Sequence, residues 1–251
     1  AASDVYKRQV VVSGISYLSY LLKRYVFHES GTLVSGIIGG LYSSTATISV
    51  LARKSRKASE QEATEYVAAM LLAVSMMFLR FMILILIFSR EIFLSIYPYL
   101  LIMSVVSAIV GWFVHSRQKL PKDTSVESEE DDSSNPLEFK VALIFAVLFV
   151  VFTVLTHYTL VYAGTSGLNL LSFVSGFSDI TPFILNLLQN TGSVAVLIIT
   201  ACSMQAIVSN ILVNMFYALF FAGKRSKLRP WILGGFGAVI VCNLVLLLFF
   251  Y

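Results

Sequence analysis

Two charged residues stand where charge is expensive. Asp179 is the only acid inside an apolar stretch, and Arg80 lies thirteen residues after Val67 and eight before Phe88 in another. At the centre of a membrane helix each would cost roughly 2.5–3.5 kcal/mol, so each needs a partner or water. Pairing with one another is one solution. Arg80 has a second in snorkelling toward the nearer surface, about 12 Å away by helical rise. Asp179 has a second in capping the helix that starts near Pro182. Polar groups cluster in further places. Ser43, Ser44, Thr45 and Thr47 bring four hydroxyls to one glycine-flanked stretch. With freed carbonyls they suit a small ion or polar solute; close helix packing is the plainer use. Thr181 sets another hydroxyl beside Asp179. Gln205, Ser209, Asn210 and Asn214 share one apolar segment, with Asn210 and Asn214 four apart on a common face. Interhelical hydrogen bonding is their plainer use.

Enzyme chemistry finds no such footing. There is no HExxH, no phosphate loop with its lysine, no zinc spacing of Cys and His, and no GxSxG. The three histidines, His28, His115 and His157, are far apart, and Cys202 and Cys242 lie inside apolar runs as small buried hydrophobes. An intramembrane aspartyl protease would need two acids in its helices. Neither a catalytic site, a metal centre nor a cofactor is expected.

The elements that must position these residues are dictated by composition. The chain has 251 residues, 57% hydrophobic and 13% charged, with a mean hydropathy of +0.83. Soluble domains carry roughly 25% charged residues, so this chain cannot cover itself with polar surface. The reading is an all-α polytopic membrane protein in contact with the lipid bilayer, since lipid leaves backbone polar groups only their own helix to bond to. Eight apolar segments run at 10–22, 31–52, 67–88, 92–114, 139–161, 166–188, 194–222 and 231–251. Residues 1–9 read as a non-native scar, and the first segment, at 13 residues, is short of the roughly 20 a span needs. An acidic stretch at 117–137 reads as a disordered linker between two membrane halves, 10–116 and 138–251. Eleven of the 32 charged residues fall between Arg117 and Lys140, so the basic pI reflects membrane anchoring and gives no reason to expect nucleic acid.

The halves resemble each other. At an offset of 136, Gly40/Gly176, Thr45/Thr181, Ile48/Ile184 and Leu51/Leu187 are identical. Both stretches are the second segment of their half and the richest in Gly, Ser and Thr. Charge singles out the same two segments. With eight full crossings, Lys and Arg divide almost evenly between the two sides. With segments two and six as re-entrant or broken helices, one side collects fourteen and the other only Arg90, as the positive-inside rule favours. Hairpin arms of about nine residues reach roughly 13 Å, near the midplane of a core about 30 Å thick. Gly39, Gly40, Gly176 and Pro182 are the expected breaks. Three crossings per half make the second half an inverted repeat of the first, with tips that meet near the middle, as in many secondary transporters. Eight plain spans with small-residue packing are the competing reading.

The string GGLYSSTATISVLARKSR at 39–56 resembles a GGLxSSTAxTxxLAR signature of the C-terminal domain of unknown function in bacterial MgtC/SapB-type membrane proteins. NPLEFKVALIFAVLF and SGFSDITPF are similar to later blocks of that domain. Asp179 matches the first acid of the last block, and Thr181 stands where a second acid is frequent. The resemblance implies a multi-pass protein of the bacterial inner membrane, loosely linked to magnesium and stress physiology, whose MgtC-like N-terminal domain would be missing here. Two functions follow. One is a transporter-like module that binds a small ion or polar solute between two broken helices, through Ser43, Ser44, Thr45, Thr47, Asp179 and Thr181, with Arg80, Gln205, Asn210 and Asn214 as intramembrane polar partners. The other is a non-transporting regulatory domain that binds its own N-terminal domain or another membrane protein.

Overall fold

In a computed structural model, the residues described are 31–56, 58, 60–117, 137–177, 179–189, 194–223 and 228–250. The expected scar, the first apolar segment and nearly all of the acidic linker lie outside them. Every element among the described residues is helical: α1 (Thr32–Lys54), α2 (Glu60–Phe88), α3 (Arg90–Ser116), α4 (Leu137–Ser175), α5 (Ile180–Gln189), α6 (Val196–Ala222) and α7 (Leu228–Phe250).

The outer surface is apolar, unlike that of a soluble domain, while several polar side chains lie inside the apolar core. Tyr162 and Leu248 are about four-fifths exposed, and Trp112, Leu170 and Leu197 also face outward. Ser203, Ser209, Asn214 and Asn243 are fully buried. Hydrocarbon outside and hydrogen-bonding groups inside is the arrangement a bilayer favours. Stretches of α1, α2, α3, α6 and α7 are long and apolar enough to cross a membrane, while 150–164, 166–175 and 180–189 are shorter apolar helices.

Length alone misleads for α1. Its helix is interrupted at Ser43, whose φ of −154° and ψ of 107° are those of an extended strand. A Cβ placed on Gly39 would lie 2.7 Å from Thr47 Cγ2. Residues eight apart in a straight helix are separated by about 12 Å. The axis therefore folds back, and α1 is a hairpin of two arms. The sequence expectation of a break is met, but its place is corrected. Gly39 and Gly40 sit inside the first arm, and the break falls at Ser43. There the chain needs an extended residue able to cap the next arm, which serine does and glycine does not.

The second broken region is built in the same way. α4 is interrupted at Gly164, with φ 58° and ψ −147°. A Cβ on Gly167 would lie 2.7 Å from Thr159 Cγ2, again eight residues away, so arm 166–175 turns back on 150–163. A second break at 176–179 leads into α5. Pro182 is not at that break; it occupies the first turn of α5, where its missing N–H costs nothing. The backbone at Gly164 is one that residues with a Cβ avoid, although no atom crowds the position. Gly164→Val should therefore lose about 1–3 kcal/mol through conformation alone. Thermal unfolding in detergent tests this. Gly234→Ala, in an open helical position, should leave the midpoint unchanged.

The chain divides into two compact units. Unit one holds α1, α2 as far as Leu84, α3 from Pro98, α6 from Asn214 and α7 as far as Cys242. Reciprocal hydrogen bonds tie α2 to α3: Ser75 Oγ donates to the Ser104 carbonyl at 2.8 Å, and Ser104 Oγ to that of Ser75 at 3.1 Å. Phe78 and Tyr99 meet edge to face beside them. Unit two holds Ile85–Tyr97, α4, α5, α6 as far as Val213 and the end of α7. There Asn186 Nδ2 donates to Thr153 Oγ1 at 2.8 Å, fixing α5 to α4, and Phe152 packs on Phe183.

Candidate functional site

Each broken region exposes backbone groups that an intact helix would have satisfied, and each meets them with side chains. At Ser43 the second arm of α1 begins. Ser43 Oγ accepts the Ala46 N–H at 3.3 Å, which is helix capping from inside the membrane segment. The first arm ends at the Tyr42 carbonyl, just before the break. The Arg80 guanidinium, from α2, donates to it. A cation at a helix C-terminus also complements the helix dipole. Arg80 is half-buried and finds this partner inside the fold, so snorkelling is not needed to explain it.

In unit two, Asp179 takes the place of Ser43. Its Oδ1 accepts from the Thr181 N–H at 2.9 Å and from Thr181 Oγ1 at 2.7 Å. The plainer reading of Asp179, a helix cap, is thus realised, and its side chain is exposed. The arm that ends before it, 166–175, is tightened by bonds from the Gly176 and Phe177 N–H groups to the Phe173 and Val174 carbonyls. Asn210 Nδ2 donates to the Gly176 carbonyl at 3.2 Å, and Ser209 Oγ to the Phe173 carbonyl at 2.7 Å. Ser172 Oγ donates to Gln205 Oε1 at 3.0 Å.

The offset of 136 now reads as structure. Ser43 and Asp179, the two caps, are 136 apart. So are Gly40 and Gly176, and so are the residues they press against: a Cβ on Gly40 would lie 2.5 Å from Ala73 Cα, and one on Gly176 would run into Ser209, which is 73 plus 136. Gly36 abuts Ala69, and at 172 and 205 the equivalent pair is Ser172 with Gln205. Each hairpin therefore docks on its long helix in one register.

The structure brings the sequence candidates together in two groups. Ser43, Ser44, Thr45, Thr47 and Arg80 belong to the first tip. Ser44 is buried, Thr47 packs on Gly39, and the Thr45 carbonyl accepts from Ser49 Oγ at 2.8 Å. Asp179, Thr181, Gln205 and Asn210 belong to the second. Asn214 is fully buried on α6. Ser172, Gly36 and the Tyr42 carbonyl were missed, because a helix contact leaves no mark on residue types. Among the described residues no group of three or more His, Cys, Asp or Glu is placed to hold a metal ion.

A helical chain with an apolar outer surface, hydrogen-bonding groups buried among its helices and two broken helices capped at equivalent positions is an integral, multi-pass membrane protein. Residues 10–222 match the family described as Domain of unknown function (DUF4010), and the chain belongs to that family. It is also 25% identical over 224 residues to an uncharacterized protein of Aquifex aeolicus (strain VF5), covering 88% of this chain and 96% of that one. No solved structure matches it.

Proposed function

We propose that this protein is a transporter-like module that binds a small ion or polar solute at its broken helices. The observation that carries the reading is the equivalence of the two tips. Discontinuous helices at corresponding positions of an internal repeat are the best pointer to a transport site, because the half-helix ends offer partial charges and unwound carbonyls to a solute. A break also costs hydrogen bonds in hydrocarbon, and keeping it twice implies a use. The one-sided loop charge obtained when segments two and six return to their own side supports reading both as re-entrant. The resemblance to MgtC/SapB-type proteins and the Aquifex relative support a place in a bacterial inner membrane.

Asp179→Asn tests this reading, because asparagine caps a helix as well as aspartate does while removing the charge. Purified protein in proteoliposomes should transport at least one of a panel of monovalent cations, divalent cations and small organic solutes. The variant should keep its thermal midpoint and lose about tenfold or more of the flux, the equivalent of one charged hydrogen bond. Folded protein with no flux for any solute on the panel defeats the proposal in favour of a regulatory, partner-binding domain.

A further inference from the structure

Unit one contains a crevice of about 330 Å³ lined by Leu33, Leu72, Ala108, Gly111, Trp112 and His115. It takes no part in either broken tip. Its walls are almost wholly apolar, with one exception: His115 Nδ1 is buried and, among the described residues, has no hydrogen-bond partner. Depth can be read from the helices. Leu33 is the second residue of α1, and His115 the last but one of α3. Ala108 lies eight residues before the end of α3, and Leu72 eight after Thr64, where the apolar part of α2 begins. Both depths are about 12 Å. The crevice thus opens at the membrane surface and runs into the hydrocarbon layer, with a polar atom only at its mouth. Trp112, mostly exposed, stands at the same level, where aromatic belts sit.

That level is also basic. Because α1 folds back, Arg53 and Lys54 at its end return to the height of Leu33, and Arg56 is held there by the Phe220 carbonyl at 3.1 Å. Arg117 lies two residues after His115 and stacks on Phe113, 4.6 Å from the ring centroid. Among the described residues Glu60, Glu62 and Glu65 are the acids at this end of α2, the last two near the Tyr66 hydroxyl that Thr32 bonds, against the four cations Arg53, Lys54, Arg56 and Arg117.

We propose that this crevice binds an anionic phospholipid of the surrounding bilayer, one acyl chain along Leu33, Leu72, Ala108 and Gly111, and the phosphate and glycerol oxygens at His115 and Arg117. An amphiphile of this kind matches both halves of the site: alkyl chain below, hydrogen-bonding oxygens and negative charge above. A polybasic rim near an anionic leaflet strengthens such binding. A plain hydrocarbon would leave His115 Nδ1 without a partner, and a soluble anion would leave the apolar walls unfilled.

The full chain, purified in detergent and exchanged into nanodiscs of phosphatidylcholine with and without phosphatidylglycerol, provides the test. Native mass spectrometry should find phosphatidylglycerol retained in preference to phosphatidylcholine. A phosphatidylglycerol with a photoactivatable acyl chain should label peptides containing Ala108–His115 in the wild-type protein. Arg117→Gln and His115→Ala should each weaken retention about tenfold, the worth of one charge-assisted hydrogen bond, and Ala108→Phe should remove the labelling. Equal retention of both lipids overturns the proposal. So does labelling elsewhere, or a zero-length cross-link that fills the crevice with residues 10–22 or with a second copy of the chain. The wild-type measurements decide the matter if Ala108→Phe does not fold.

Discussion

Gly40→Leu is expected to yield no stably folded protein. A Cβ on Gly40 would lie 2.5 Å from Ala73 Cα and 2.6 Å from the Ala73 oxygen. Both are backbone atoms of α2, which cannot rotate away as a side chain can. Alanine alone forces the first arm of α1 off α2, at a cost of about 1–3 kcal/mol. Leucine must displace it by most of a side chain and would carry Gly36, which abuts Ala69 one turn earlier, with it. The yield of monodisperse protein and the thermal midpoint should fall in the order Gly, Ala, Leu. Gly237→Ala, with nothing within 4 Å of the added atom, is the control and should be neutral. The equivalent Gly176→Ala should behave likewise. Its added atom meets Ser209 Cβ, which is fixed to the backbone of α6, and the Asn210 N at 2.8 Å.

Arg80→Met should destabilise the first hairpin, and the sign of the effect is informative. Taking a lone charge out of hydrocarbon normally stabilises. If Arg80 only snorkelled to the surface, methionine would be neutral or better. Here the guanidinium donates to the Tyr42 carbonyl at the end of the first arm. Losing that bond should cost about 1.5–3 kcal/mol, the range for hydrogen bonds to charged groups. Lysine keeps the charge without the planar fork and should recover part of the loss. Two measurements check this: the thermal midpoint, lowest for Met and intermediate for Lys, and hydrogen exchange of the Ser44–Ala46 amides, fastest in Met. A rise in midpoint for Arg80→Met would mean that the charge is a burden to the fold.

Much of this was legible before any coordinates. The two broken regions were visible because Gly, Ser and Thr crowd there and because loop charge becomes one-sided only if those segments return to their own side. Asp179 as a helix cap was legible from its spacing to Pro182. Other features were misplaced for a definable reason. Gly39 and Gly40 look like a turn, since glycine permits sharp bends. Glycine equally permits close helix approach, and that is its use here. The actual break at Ser43 looks unremarkable in sequence, because any residue adopts an extended backbone and only the bond to Ala46 marks it as a cap.

The repeat shows the same division. Identities at an offset of 136 revealed that two stretches correspond, but not that Ala73 and Ser209, or Ala69 and Gln205, are equivalent docking points. Those pairs differ in chemistry and agree only in position. Sequence by itself determined the solvent of this protein, its helices and the segments that had to be broken. Those follow from transfer energies and backbone hydrogen bonding, which act residue by residue. Only the tertiary structure decided which residue forms each tip, which carbonyl Arg80 serves and where an apolar crevice meets a basic rim. Those depend on close contacts between residues distant along the chain, and a contact is a property of two positions that neither encodes alone.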